Sequence, residues 1–213
     1  MELSLSTWCL LLIDTLGAND YMQQSWSTSR ADPDVGLIDA MAAGDTQALD
    51  QLYERYGGQI LAFLMARLNN RALAEEVLQD TMLAAWRNAA QFRGESSVKT
   101  WLLVIARNRA INTQRRYQPQ FVDVDAAYDL ASSDTGPQEL VEREFDKARV
   151  RAALEHLSPD QREVLVLFFF QQLTGPEIAE VLNISIGTVK SRLHRAKEAL
   201  RRMILMQEGG FNE

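Results

Sequence analysis

Residues 117–142 hold six acids, Asp123, Asp125, Asp129, Asp134, Glu139 and Glu142, and no lysine or arginine. Pro119, Gly136 and Pro137 interrupt any helix that would run through them, since proline lacks the N–H and clashes with the preceding turn. A charged, helix-breaking stretch near the middle of 213 residues reads as an acidic linker. It divides the chain into two small modules, each needing an apolar face of its own. With 46% hydrophobic and 24% charged residues, both halves have the material to fold, and disorder throughout is excluded.

The total charge of −7 gives no sign of a nucleic-acid partner, but its distribution does. Residues 93–116 carry Arg93, Lys99, Arg107, Arg109, Arg115 and Arg116 against Glu95 alone, a segment of +5. Residues 185–202 carry Lys190, Arg192, Arg195, Lys197, Arg201 and Arg202 against Glu198, again +5. The other 171 residues therefore hold −17. Two basic islands in an acidic body, one on each side of the linker, suit two modules that each touch a polyanion. The bland alternative is a pair of solvated helix faces.

Several classes drop out on composition. The single Cys9 cannot form an internal disulfide, and with only His156 and His194 no four-ligand Cys/His zinc site assembles, so a reduced, cytoplasmic compartment is expected. The apolar run Trp8–Ile13 is far shorter than the roughly 20 residues of a membrane span, and no Lys or Arg precedes it. Neither a signal peptide nor an integral membrane protein is expected. Glu75, Glu76 and Asp80 share a helical neighbourhood that suggests metal-assisted phosphodiester chemistry, but no second carboxylate pair or histidine joins them. No nucleophilic triad or phosphate loop appears, so neither an enzyme, a small-molecule substrate, a metal nor a cofactor is expected.

Strand signals are nearly absent, and the periodicity predicts an all-α protein. Leu49, Leu52, Tyr53 and Tyr56 lead through Gly57-Gly58 into Ile60, Leu61, Leu64 and Leu68, as two helices or one interrupted helix. Leu73, Val77, Leu78, Met82, Ala85 and Trp86 form the next stripe. After a break at Phe92-Arg93-Gly94, Val98, Trp101, Leu102, Ile105 and Ala106 mark another helix, making the first module a small bundle. Beyond the linker, Val141, Phe145, Ala148 and Ala152 step at helical spacing. Ser158-Pro159-Asp160-Gln161 then supplies an N-cap, a first-turn proline and a capping-box Gln for a helix over about 159–172.

Thr174-Gly175-Pro176-Glu177 repeats that logic for a helix over 175–183, with Asn183 as a left-handed turn residue and Ser185 capping a helix to about Arg202. Two helices joined by a turn of about three residues, with small Ala179 at the close approach, define a helix-turn-helix. Val189, Leu193 and Ala196 should face the core. Ser185, Gly187, Thr188, Lys190, Ser191, Arg192, His194 and Arg195 are then the candidate DNA-reading set, rich in phosphate and base-edge donors. An ordinary helical hairpin with a basic face is the competing reading.

The stretches 157–165, 177–182 and Gly187-Thr188-Val189-Lys190-Ser191-Arg192-Leu193-His194-Arg195-Ala196 resemble region 4 of the bacterial extracytoplasmic-function sigma factors, group 4 of the sigma-70 family. LuxR-type response regulators share an Ile-Ala…Thr-Val-Lys pattern, so the first module decides. There Ala74-Glu75-Glu76-Val77-Leu78-Gln79-Asp80-Thr81, Ala85-Trp86, the run 92–102 and Ile105-Ala106-Arg107-Asn108 resemble region 2 in the same order. The resemblance covers about 41–203 and implies two helical domains, region 2 over 41–116 and region 4 over 140–203. The linker spans 117–139, with an extension over 1–40 and a tail over 204–213.

It further implies a protein that directs core RNA polymerase to promoters and helps melt the minus-ten element. Glu76, Gln79 and Asp80 would dock on the β′ clamp, region 4 would lie near the β flap, and an anti-sigma factor is expected as a partner. Phe92, Arg93, Ser96, Ser97, Lys99, Trp101, Arg107 and Asn108 would capture and hold the opened minus-ten strand. Stacking aromatics beside cations are what a single strand needs, although core packing is the plain reading of Phe92 and Trp101. The recognition helix would enter the major groove at minus thirty-five, and the linker would mimic RNA charge in the exit path. Val98 stands where relatives often have an aromatic, which shifts weight to Ser96 and Ser97. An autonomous helix-turn-helix regulator, binding duplex DNA without polymerase, is the alternative. The first 40 residues lie outside the resemblance, and Met22 or Met41 as the initiator is one explanation of them.

Overall fold

Side-chain caps mark the start of every α-helix but the first in the computed structural model, which describes residues 32–116 and 156–209, with side chains to Met203. Helix α1 spans Val35–Ala42. Helix α2, Thr46–Leu68, starts where Asp45 accepts from the Gln47 N–H at 2.9 Å. It ends at Asn69, whose positive φ of 48° closes the last turn, and the next residue, Asn70, caps α3, Arg71–Asn88, by accepting from Leu73 N–H. Two asparagines thus reverse the chain in the space of one joint. A short 3₁₀ turn at Ala89–Gln91 leads to α4, Val98–Arg116, with Ser97 bonding the Thr100 N–H.

The Gly57-Gly58 pair does not divide α2, which runs unbroken for 23 residues. Two helical glycines cost about 1 kcal/mol each relative to alanine. Burial of Leu52, Ile60, Phe63 and Leu64, each at most 1% exposed, outweighs that cost.

In the second module the Ser158–Gln161 capping box forms as the sequence indicates, with both reciprocal bonds present, and α5 covers Pro159–Leu165. The helix expected to reach 172 instead widens into a π-helical turn over Val166–Phe170, where Gln171 N–H bonds the Val166 carbonyl. Gln172, at φ 54°, then ends it. Helix α6, Gly175–Leu182, has the Thr174–Glu177 box and the left-handed Asn183. Helix α7, Ile186–Gly209, runs well past the expected end near Arg202. No strand occurs among the described residues. The linker and the stripe from Val141 to Ala152 lie outside them.

The two modules pack on each other. Helix α4 lies against α6 and α2 against α5, and the buried side chains of both halves merge into one cluster from Ile38 to Leu200. Residue 40, given as the end of an extension, falls inside α1. Ile38 and Met41 are 1% and 2% exposed, and Asp32 accepts from the Val98 N–H at 2.6 Å, capping α4 from the other end of the module. The buried Asp34 accepts from the Tyr56 hydroxyl and pairs with Arg55. Burial, then Asp32, raises the Tyr56 pKa, with Arg55 opposing. The folded body therefore includes residues 32–40.

A chain started at Met41 loses Asp32, Asp34 and Ile38, and should lose about 2–5 kcal/mol from Ile38 alone. Urea unfolding of that truncation beside the full chain, followed by circular dichroism, checks this, and equal midpoints would refute it.

Candidate nucleic-acid interface

Helix α7 turns its faces as the periodicity requires. Val189 and Leu193 are 1% exposed and Ala196 is fully buried, while Lys190, Ser191, His194 and Arg195 lie on the surface. At its start the Ser185 hydroxyl accepts from Thr188 N–H at 3.2 Å and meets the Thr188 hydroxyl at 2.8 Å. That exchange uses the hydroxyls locally and presents Ser185 and Gly187 at an open helix end. Arg195 Nε bonds back to the Ser191 carbonyl at 3.2 Å.

Arg192 departs from the rest of the set. Its guanidinium is half-buried and pairs with Asp160 of α5 at 2.8 Å, which ties the recognition helix to the start of α5. Below the helix, Lys197 is 9% exposed, with its ammonium 5.2 Å and 5.7 Å from the Phe168 and Phe169 ring centres. Burial holds its pKa below the ordinary lysine value. Lys197 thus belongs to the underside of the helix and adds nothing to its DNA-facing surface.

On the first module the expected single-strand set divides in two. Arg93 and Asn108 are exposed, Ser96 is half-buried, and Phe92 and Trp101, both half-buried, pack on each other with ring centres 5.1 Å apart at 53°. Val98 is fully buried, so its side chain takes core space and leaves no aromatic platform there. The other members are engaged by the second module. Ser97 and Thr100 hydroxyls both bond Glu177 Oε1 at 3.1 Å, Lys99 Nζ donates to the Gln171 carbonyl at 2.6 Å, and Arg107 Nε donates to Glu163 Oε1 at 3.0 Å. Burial lowers the Lys99 pKa, and Glu177 partly restores it.

Arg67, Thr100, Gln171, Glu163 and the second role of Glu177 carry no signal in the sequence. Arg67 Nη1 reaches the same Glu163 oxygen as Arg107, and the Gln171 side chain donates to the Gln59 carbonyl at 2.8 Å. These partners are 56 to 112 residues apart, beyond any helical period. Glu163 is 7% exposed.

Glu76, Gln79 and Asp80 share the exposed side of α3 with Leu83, an apolar side chain 49% exposed that the sequence reading passed over. Its exposure among acids, one turn beyond Gln79, was the available signal. Glu75 pairs with Arg71 at 2.9 Å. Among the described residues no group of three or more His, Cys, Asp or Glu is placed to hold a metal ion. No described helix is long and apolar enough to cross a membrane.

A bundle with an acidic-apolar helix, joined to a helix-turn-helix, is the architecture of sigma-70 regions 2 and 4. The sigma-70 region 2 model matches residues 52–119, and the sigma-70 region 4 model matches 147–200. The RNA polymerase sigma factor YlaC of Bacillus subtilis is 34% identical over 157 residues, 73% of this chain and 91% of that one. The ECF RNA polymerase sigma factor RpoE of Cereibacter sphaeroides is 33% identical, covering 74% and 86%. The sigma factor RpoE of Bartonella quintana, solved with the anti-sigma factor NepR, superposes with a TM-score of 0.58 at 27% identity, over 73% of this chain and 95% of that one. CnrH, solved with the cytosolic domain of CnrY, gives 0.59 at 26%, over 81% and 97%. The chain belongs to the extracytoplasmic-function group of the sigma-70 family.

Lys197→Met keeps the volume and removes the buried charge, so it should raise the melting temperature at neutral pH. The wild-type lysine binds its proton less readily folded than unfolded, so wild-type stability gains on the variant as pH rises toward about 10.4, the free lysine value. Melting curves at neutral and alkaline pH should therefore converge, and a constant difference would contradict the burial argument.

Proposed function

We propose that this chain recruits core RNA polymerase to promoters, reads the minus-thirty-five element with α7, and helps open the minus-ten element with α4 and the segment before it. Family membership together with the exposed basic row of α7 carries the reading. A negative duplex is drawn to that row by phosphate neutralisation, and the side chains at its outward face then select bases. Lys190, Ser191, His194 and Arg195 are the base-facing members. Arg192, held by Asp160, acts as a positioning residue that fixes the recognition helix against α5.

On the first module Phe92, Arg93, Ser96, Trp101 and Asn108 stand ready for the opened strand, while Ser97, Lys99 and Arg107 become available once the second module moves away. Glu76, Gln79, Asp80 and Leu83 form the polymerase-docking patch. Its acids set orientation and Leu83 supplies the apolar anchor of the kind that dominates interface energy. The site of action is the cytoplasm, and an anti-sigma protein is a partner, as a Bartonella quintana relative bound to one suggests.

The autonomous-regulator reading is weaker, because the free chain covers part of its own strand-binding set. Run-off transcription with core polymerase on the promoter upstream of its own gene separates the two. Protein-dependent initiation supports the sigma role, whereas tight sequence-specific duplex binding by the free chain with no effect on polymerase defeats it.

Two substitutions sharpen the assignment. Arg195→Ala should cost about 1–3 kcal/mol of discrimination if the side chain reads a base. An even loss across sequences would assign it to phosphate. Asn108→Ala should slow promoter opening more than it weakens the closed complex, and permanganate footprinting beside a filter-binding assay reads the two separately.

A further inference from the structure

Arg67 on α2 and Arg107 on α4 come from different helices and converge on one oxygen, Glu163 Oε1, with Arg107 Nε at 3.0 Å. All three side chains are at most 18% exposed. Two guanidiniums against one carboxylate leave one positive charge over, and Asp160 on the rim is engaged with Arg192. The donors also outnumber what the carboxylate takes up. Arg67 Nε is buried and finds no acceptor among the described residues. Beside this triad lies a cleft of about 270 Å³ lined by Phe63, Gln114 and Val166 among others.

A planar carboxylate is a partial fit to that seat. Only Oε1 of Glu163 is engaged, whereas a phosphodiester presents two non-bridging oxygens on a tetrahedral centre, a geometry that guanidinium forks bind as readily as a carboxylate. We propose that Arg67 and Arg107 form a two-arginine seat for a nucleic-acid phosphate, which Glu163 of the second module fills while the modules are packed together. Arg107 directly precedes the exposed Asn108 on α4, so the seat adjoins the strand-opening segment. Glu163 then competes with DNA for the same donors, and parting the modules exposes the seat. The proposal deepens the sigma reading and rests on it for the role of α4.

The test uses the full chain and a labelled single-stranded DNA oligonucleotide of mixed sequence, titrated over a range of salt. Glu163→Gln should tighten binding severalfold and steepen the plot of log K against log salt by about 0.7, one seated phosphate. Adding Arg67→Gln should take back that steepening. An unchanged slope in Glu163→Gln overturns the proposal. So does a double variant as steep as the single one, which would mean that opening frees other groups and no seat exists.

A second measurement stands apart from how Glu163→Gln folds. In complex with core polymerase, Arg67→Gln should lower the salt slope of promoter binding by about 0.7–0.9, while Glu163→Gln stays within about twofold of wild type. Equal slopes for wild type and Arg67→Gln overturn the seat. If the wild-type chain does not assemble with polymerase, the sigma reading fails, and the free-chain slopes still decide the arginines.

Discussion

One carboxylate, 5% exposed in its side chain, joins the two halves of this protein. Glu163 leaves α5 and meets Arg67 of α2 and Arg107 of α4 in the first module. Bringing such charges out of water costs several kcal/mol per ion, and the pairing recovers it only when every partner is in place. Removing one member is therefore far worse than never having built the triad. Around it the remaining polar contacts, Gln171 with Gln59, Lys99 with Gln171, and Glu177 with Ser97 and Thr100, repeat the same pattern. The specific register of the two modules depends on charged and hydrogen-bonded groups, whereas each module's interior depends on aliphatic packing.

That division of labour matters for function. A net hydrogen bond contributes only about 0.5–1.5 kcal/mol, or about 1.5–3 kcal/mol where one partner is charged, because water or another acceptor can replace the partner. Apolar burial has no such substitute. The polar pairs of this interface can consequently exchange partners for phosphate or solvent, whereas the apolar cluster shared by the two modules opposes their parting. The charge map carries the same message: Ser97, Lys99, Thr100 and Arg107, engaged by Glu177, the Gln171 carbonyl and Glu163, belong to the +5 segment that suits a polyanion, and Arg67 adds a further cation from α2. Acids of one module occupy hydrogen-bond donors of the other.

What the sequence made legible was local. Both capping boxes, the left-handed Asn183, the buried row Val189, Leu193 and Ala196, and the helix-turn-helix itself follow from residues within a turn or two of each other. The end of α5 was misread because a π-helical turn has no residue signature, and the unbroken α2 because tertiary burial overrode two glycines. Nothing in the sequence signalled that Asp160, 32 positions earlier, would hold Arg192. Arg67 and Gln171 were invisible for the same reason. A chain that folds back across more than fifty residues leaves no period to detect.

Glu177 shows how the two kinds of information meet in one side chain. Its Oε2 closes the capping box, accepting from the Thr174 N–H at 2.8 Å and the Thr174 hydroxyl at 2.7 Å. Its Oε1 faces the other way and receives Ser97 and Thr100. The first role is written in the spacing of Thr174 and Glu177, and the second is not. Because a carboxylate has two oxygens, the cap does not depend on the neighbouring module being present. If the modules part, α6 keeps its N-terminal bonds and loses its packing against α4. The cap of α6 is therefore independent of the contacts that hold Ser97 and Thr100.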